Sequence, residues 1–368
     1  MGSDQAAWVF VGSGQPRGMT GRPLTSRVPL GRRMRLAAEA LRQPYLDFLQ
    51  DVEQLQASSP AWHGSTLAWR DPEASDLFLV LCQLWAVRDL LNSTPAEAFQ
   101  VVAGDAWIAE ACRVSGIAPG RISVAPHAGR LTVLVRGLGS RLRWGLQMAL
   151  HWWKFRAFDR APSRAPEVWL YSLLHPRCLQ GENGWRDPFM GELSGLLREN
   201  GAQVGRLLPL AHIGDVATLV TRMDYLRPLA RGISLSGLCK ALFSLWMPRW
   251  PRSARVEGLD VSSLLRRAWW QDLGRAVGPA ASLFEDSMAR MFRQREVSCV
   301  VFPYENQPWE RMLILAASAA GVRTVGYQHS TVPRLSLNYF FGKSGVGVAP
   351  MPDLVLTAGR HQRESLVA

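Results

Sequence analysis

The chain has 368 residues, carries a formal net charge of +12 and is 48% apolar. This apolar content excludes a disordered chain, and the length favours two lobes or one large α/β domain. The positive charge favours anionic partners such as nucleotide phosphates or an acidic membrane face, whereas the lack of a recognisable nucleic-acid-binding motif argues against DNA or RNA.

The N-terminal region, residues 1–75, is predicted to be a basic, irregular segment that includes one helix. Residues 16–33 are rich in Gly, Pro and Arg, which is typical of irregular structure. Residues 34–56 show the periodicity of an amphipathic helix, with a bend expected at Pro44. A short apolar run at residues 7–11 could form a first strand.

A strand followed by a helix is predicted from residue 99 onward. The run FQVVAG at residues 99–104 is typical of a buried strand, and residues 106–115 follow with helical periodicity. Asp105 stands between them, at the carboxyl end of the strand. Its side chain is either the N-cap of the helix or part of a binding site, and the position favours the cap.

Residues 140–160 are predicted to form a basic amphipathic helix. One narrow face carries polar and basic side chains, namely those of Arg143, Gln147, His151 and Lys154. The opposite face carries the apolar side chains of Leu142, Leu146, Ala149, Leu150 and Trp153, and Trp144 and Trp152 widen it. Such a helix can lie in a bilayer surface, or it can pack against a sheet with a solvated basic rim. Both interpretations remain open.

The expected location is the cytoplasm, with any membrane contact being peripheral and on the inner face of the plasma membrane. The five cysteines show no paired spacing, which argues against a zinc site and a disulfide framework and favours a reducing compartment. The N-terminus lacks the pattern of a signal peptide, and no uncharged stretch is long enough to span a bilayer.

The most informative stretch of the sequence covers residues 297–328 and predicts one strand–helix–strand unit. Residues 297–302 and 322–327 are short apolar strands, and residues 309–320 form the helix between them. Such units build parallel sheets, in which ligands bind at the carboxyl ends of the strands. These two ends carry a concentration of polar side chains: Tyr304, Glu305, Asn306 and Gln307 after the first strand, and Gln328, His329, Ser330 and Thr331 after the second.

Several of these side chains have both a functional and a structural interpretation. Glu305 lies before the helix and could act as a base or bind a sugar hydroxyl, or it could be an ordinary loop carboxylate. Glu310 is either a ligand residue or the partner of Gln307 in a capping box. His329 is either catalytic or structural. Trp309 is a stacking platform or, more simply, a core residue.

The chain resembles bacterial surface-carbohydrate biosynthesis proteins of the O-antigen and capsule type. The resemblance rests on the segments DPFMGEL, YENQPWE, GYQHST and PMPDLVLTAG, in this order and spacing. These proteins are similar to glycosyltransferases of the two-lobed GT-B architecture. The resemblance implies an α/β fold in which residues 76–360 form a Rossmann-like, acceptor-side lobe: a parallel sheet flanked by helices, with inserted amphipathic helices. Residues 361–368 would begin the linker to a C-terminal donor lobe that is expected to be missing, as in a truncated fragment.

The implied reaction is transfer of a sugar from a nucleotide-sugar donor to a surface polysaccharide or lipid-linked glycan at the anionic inner membrane. Two alternatives are a GT-B-like nucleotide-sugar epimerase and an inactive scaffold that pairs with a separate donor-lobe subunit. No cofactor is expected, and without an Asp-x-Asp motif no metal is expected. Glu305 and His329 are the catalytic candidates. The substrate-binding candidates are Tyr304, Asn306, Trp309, Glu310, Gln328, Ser330, Thr331 and Asp105.

Overall fold

The computed structural model describes residues 7–13, 27–56, 59–93, 99–117, 122–125, 130–155, 167–171, 179–180, 184–185, 187, 189–208, 226–243, 247–293, 297–345 and 347–367. Their strands form two parallel sheets and two short antiparallel pairs. The first sheet contains, in spatial order, β1 (Ala7–Val11), β2 (Phe99–Ala103) and β3 (Ile122–Val124). The second contains β4 (Val168–Tyr171), β7 (Val204–Leu208), β8 (Leu226–Pro228), β11 (Cys299–Pro303), β12 (Arg323–Gln328) and β13 (Leu354–Thr357). The antiparallel pairs are β5 (Leu179–Gln180) with β6 (Gly184–Trp185), and β9 (Arg255–Val256) with β10 (Leu259–Asp260).

The helices lie between and around these strands. In chain order they are α1 (Gly31–Gln56), α2 (Pro60–His63), α3 (Thr66–Trp69), α4 (Leu77–Ser93), α5 (Ala106–Val114), α6 (Arg130–Phe155), α7 (Leu193–Glu199), α8 (Leu235–Phe243), α9 (Ser262–Leu273), α10 (Val277–Arg293), α11 (Pro308–Ala319) and α12 (Arg360–Val367). Within the described ranges, no helix is both long enough and apolar enough to cross a membrane.

The six described strands of the second sheet follow the order β8-β7-β4-β11-β12-β13. Numbered along the chain within this sheet, the order is 3-2-1-4-5-6, which is that of a Rossmann-type doubly wound sheet. The strand order reverses between β4 and β11, and these two strands pair in parallel. In open sheets of this kind, the carboxyl ends of the strands at the reversal form a crevice where ligands bind.

The predicted strand–helix–strand unit is confirmed. β11 and β12 are adjacent and parallel, with Cys299 opposite Arg323 and Pro303 opposite Tyr327, and α11 supplies the crossover between them. β13 pairs in parallel on the far side of β12. The α/β class with helix-flanked parallel sheets, as predicted from sequence, is therefore observed in the described chain.

Strand pairing differs from the single sheet that the sequence predicts. β2 and β3 pair with β1, in a sheet of their own, and β1 belongs to the segment 1–75 predicted to be largely irregular. The range 76–360, predicted as one lobe, therefore contains strands of both sheets. An apolar run identifies a buried strand, but its partner depends on which helices cover the same face. Val9, Val11 and Val101 share one core with α1 and α4.

Helix α6 begins at Arg130, ten residues before the helix predicted from sequence, and residues 156–160 lie outside the described ranges. Gly137 and Gly139 lower the helix propensity of this first part, which hides it from a sequence-based prediction. Packing overrides that propensity, because a Cβ placed at Gly137 would lie 3.0 Å from the Cα of Gly274. The glycine therefore permits close contact between α6 and the end of α9.

Candidate functional site

Glu305 and His329 meet at the carboxyl ends of two neighbouring strands. Glu305 lies two residues beyond β11 and His329 directly follows β12. A carboxylate oxygen of Glu305, Oε1, is 3.6 Å from Nε2 of His329. The structure thus brings together the two side chains that the strand positions predict to share a cleft, while their chemical roles remain predictions.

The surroundings of this pair fix its orientation and leave it accessible. Oε2 of Glu305 accepts a hydrogen bond of 2.6 Å from Nε2 of Gln307. The imidazole of His329 lies edge-on to the ring of Phe189, with 4.6 Å between ring centroids. The side chains of Glu305 and His329 are 33% and 20% exposed, so solvent or a ligand can reach both. Nδ1 of His329 has no hydrogen-bond partner within the described residues.

The hydroxyl of Tyr339 connects the two segments that carry Glu305 and His329. The hydroxyl of Tyr339 donates to the carbonyl of Tyr304 at 3.3 Å and lies 3.2 Å from Oγ of Ser330. Gln328 is fully buried, and its amide nitrogen donates to the carbonyl of Ser330. Burial raises the pKa of Tyr339 to about 12 and also raises the pKa of Tyr304. Both phenols therefore stay protonated at neutral pH and serve as neutral hydrogen-bonding groups.

Asn306 holds the loop that carries Glu305. It adopts a left-handed backbone conformation, with φ of 55°, which Asn tolerates better than most residues. Its fully buried side chain accepts from Nε of Arg311 at 2.9 Å and donates to the carbonyl of Asn338 at 2.6 Å. Asn338 in turn donates to the carbonyl of Glu305 at 2.6 Å. Both ends of the Asn306 amide, predicted from sequence to bind substrate, are therefore occupied by the protein.

Glu310 caps helix α11, as one of its two sequence interpretations predicts. Its Oε2 accepts from the backbone N–H groups of Glu305 and Gln307, at 2.9 and 3.2 Å. Burial raises the pKa of the Glu310 carboxyl well above its ordinary value, although these hydrogen bonds act in the opposite direction. Pro308 occupies the first turn, where no backbone N–H is needed. The capping contact therefore also fixes the backbone of the catalytic candidate.

The remaining candidates, Trp309, Thr331 and Asp105, differ in burial and in position. The indole of Trp309 stacks on Tyr171, the last residue of β4, with 4.4 Å between ring centroids, so it packs against the strand at the sheet reversal. Thr331 is exposed at the edge of the site. Asp105 is at the other sheet, where its Oδ1 accepts from the backbone N–H groups of α5 and its Oδ2 pairs with Arg267. The cap interpretation thus accounts for Asp105, and this residue is not part of the Glu305 site.

A buried ion cluster that the sequence did not predict consists of Glu53, His63, Arg70 and Arg311. Oε2 of Glu53 pairs with Arg70 at 2.6 Å, and its Oε1 lies 3.8 Å from Nη1 of Arg311. All four residues are almost completely buried. Because Arg311 belongs to α11 and the other three to the α1–α3 region, the cluster joins this region to the helix behind the candidate site. The sequence gives only a weak sign of this cluster, because a Glu in an amphipathic helix such as α1 is usually expected on the solvated face.

His63 is neutral in this cluster, although its Nδ1 is 3.7 Å from Oε1 of Glu53. Burial, together with the charges of Arg311 and Arg70, lowers the pKa of His63 to about 3. The two guanidinium groups already compensate the single carboxylate, so a third positive charge would be unfavourable. Protonation of His63 in acid should therefore destabilise the folded protein.

We expect His63 to contribute stability that is lost as the pH falls. In the unfolded chain a histidine gains its proton near pH 6.5, whereas folded His63 resists protonation until about pH 3, so acid favours the unfolded state. The stability advantage of the wild type over His63→Gln should shrink by roughly 3 kcal/mol between about pH 7 and pH 4. Urea unfolding of both proteins across this range measures it.

Replacing an exposed histidine on α12, His361→Gln, serves as the control and should leave the pH profile unchanged. A difference between wild type and His63→Gln that stays constant with pH would show that the pKa of His63 is the same in the folded protein as in the unfolded chain.

The arrangement of Glu305 and His329 indicates which chemical steps the site could support. A carboxylate can accept a proton, and an imidazole 3.6 Å away can hold or return one. Among the described residues, no group of three or more His, Cys, Asp and Glu side chains could hold a metal ion. Comparison of the chain with protein-family models, with curated proteins and with solved structures gives no match.

Proposed function

We propose that this chain is the acceptor-side lobe of a GT-B-type glycosyltransferase that builds a bacterial surface glycan. The carrying observation is the accessible pair of Glu305 and His329, with 3.6 Å between Oε1 and Nε2, at the carboxyl edge of a doubly wound sheet. The sugar comes from a nucleotide-sugar donor. The acceptor is a surface polysaccharide or lipid-linked glycan at the cytoplasmic face of the membrane.

Glu305 is proposed as the general base that removes the proton from the acceptor hydroxyl. The carboxylate of Glu305 accepts a hydrogen bond from Gln307, and the backbone of Glu305 is held by Glu310 and Asn338. Glu305 therefore needs little rearrangement during the reaction. His329 is proposed to orient Glu305 through Nε2 and to face phosphate or acceptor oxygens. Protonated His329 would favour the charge that develops on those oxygens.

The fold and the charge support the same proposal. The strand order 3-2-1-4-5-6 is one that binds nucleotides at the point where the order reverses, and Tyr171 and Trp309 stack beside that point. The net charge of +12 favours phosphorylated donors and anionic carriers. The motifs YENQPWE and GYQHST, on which the resemblance to surface-carbohydrate enzymes rests, contain both proposed catalytic residues.

A transfer assay tests the proposal. The protein is incubated with membranes that carry lipid-linked glycans and with a panel of radiolabelled nucleotide sugars, and the label in the lipid fraction is measured. We expect one donor to label that fraction and Glu305→Gln to abolish the labelling. Conversion of a nucleotide sugar without any transfer would favour the epimerase alternative, and absence of transfer with every donor would favour the inactive scaffold that pairs with a separate donor-lobe subunit. Labelling that Glu305→Gln leaves unchanged would overturn the proposed role of Glu305.

A further inference from the structure

Helix α6 presents an apolar band to solvent along most of its length. The exposed members are large side chains: Leu134, Val135, Leu138, Leu142, Leu146, Leu150 and Trp153. Leu142 is 70% and Leu146 is 64% exposed, values that are unusual for leucine on a helix that also packs against the protein. Their spacing of mostly four residues places them on one side of the helix. The band is therefore a continuous surface rather than scattered apolar residues.

The opposite side of α6 attaches the helix to the rest of the chain. Met148 and Phe155 are buried in a small core with residues of α8 and α10, and Trp144 and Trp152 pack against this core. The sequence pattern places both tryptophans on the same apolar side as the leucines, whereas the structure has the tryptophans half-buried and the leucines exposed. The leucines of the band are exposed on the other side of the helix.

Helix α8 extends this surface. Gly145 of α6 lies so close to Leu242 of α8 that a Cβ at that glycine would be 2.7 Å from the leucine side chain. The next residue, Phe243, is 83% exposed, and Met247 and Leu235 are also exposed. We name the exposed apolar residues of α6 and α8, with Met247, the two-helix surface.

The charges on the two-helix surface identify its partner. Arg136, Arg143 and Lys154 are exposed and stand seven and eleven residues apart, which places them along one edge of the apolar band. Neither α6 nor α8 contains an Asp or a Glu. Two carboxylates of α10 lie near these helices: Asp286 pairs with Arg290, and Glu285 faces Lys240.

We propose that the two-helix surface docks in the plane of an anionic phospholipid bilayer. The apolar band would enter the boundary between head groups and acyl chains, while Arg136, Arg143 and Lys154 reach the lipid phosphates. A second copy of the chain is a poorer partner, because a symmetric contact would bring the same uncompensated basic edges together. The inference does not depend on the proposed sugar transfer.

Vesicle sedimentation of the full chain tests the proposal. The protein should bind vesicles of phosphatidylglycerol and phosphatidylethanolamine, bind pure phosphatidylcholine vesicles at least about tenfold more weakly, and dissociate as salt rises. Replacing Leu142, Leu146 and Leu150 together by Ser should weaken binding at least about tenfold. Replacing Arg136, Arg143 and Lys154 together by Gln should remove the preference for anionic lipid and the dependence on salt.

The matched control replaces two exposed leucines outside the two-helix surface, Leu36→Ser and Leu196→Ser, and should bind as the wild type does. Thermal unfolding checks that each variant is folded, and the charge variant keeps the test decisive should the leucine variant unfold. Equal binding to both vesicle types, or no binding to either, would overturn the proposal. A wild-type dimer in sedimentation velocity that is dissociated only in the leucine variant would also overturn the proposal.

Discussion

Replacement of Glu305 by Gln is expected to lower the rate of sugar transfer by about a hundredfold or more, the usual size of a general-base contribution. An amide has nearly the shape of a carboxylate but does not accept a proton at neutral pH. The side-chain oxygen of the new Gln can still accept the hydrogen bond from Gln307. Because Glu305 is one-third exposed and outside the apolar core, the free energy of unfolding should change by less than about 1 kcal/mol.

Two further variants sharpen this test. Glu110→Gln, an exposed carboxylate on α5 at the other sheet, should leave both turnover and stability unchanged. If Glu305 and His329 act as a unit, Glu305→Gln combined with His329→Gln should cost little more turnover than the greater of the two single losses. Turnover of Glu305→Gln close to that of the wild type would reduce Glu305 to a loop carboxylate.

The largest expected effect on stability comes from Glu53→Gln. This change leaves the guanidinium groups of Arg70 and Arg311 buried without a compensating carboxylate. Burial lowers the pKa of Arg311 to about 10, so the group remains charged at neutral pH. Removing one partner from a buried ion pair typically costs about 3–5 kcal/mol, because the remaining charge stays desolvated. Urea unfolding at neutral pH measures the loss.

A control on the same helix and a compensating variant separate this effect from local damage. Asp51→Asn changes an exposed carboxylate of α1 and should alter stability by less than about 0.5 kcal/mol. Adding Arg70→Met to Glu53→Gln removes one uncompensated charge and should restore part of the lost stability. A loss below about 1 kcal/mol for Glu53→Gln would mean that water, rather than Glu53, compensates the two arginines.

The variants Glu53→Gln and Glu305→Gln affect two adjacent parts of one region, the buried ion cluster and the candidate site. Arg311 follows Glu310 in α11 and also holds Asn306, so the buried ion cluster and the candidate site share a helix and a loop. Glu53→Gln is therefore expected to lower transfer activity as well, through displacement of the Asn306 turn. Glu305→Gln should leave stability alone. This asymmetry distinguishes the residue proposed to act on substrate from the residues that position it.

The amino-acid sequence by itself determined the local elements of this protein. Apolar runs marked β1, β2, β11 and β12, and the crossover between β11 and β12 followed from the helix between them. The capping contacts of Asp105 and Glu310 could be anticipated, because a cap depends on residues within four positions. The approach of Glu305 to His329 followed from the same rules, since both residues succeed neighbouring parallel strands.

Only the tertiary structure decided which distant segments meet. It separated β2 and β3 from the larger sheet, enclosed the ion cluster of Glu53 and Arg311, and brought Tyr339 and Phe189 to the site. It also left the leucines of α6 exposed and packed Trp144 and Trp152 partly against a core. Periodicity shows that a helix has two faces, but burial of a face depends on surfaces supplied by residues far along the chain.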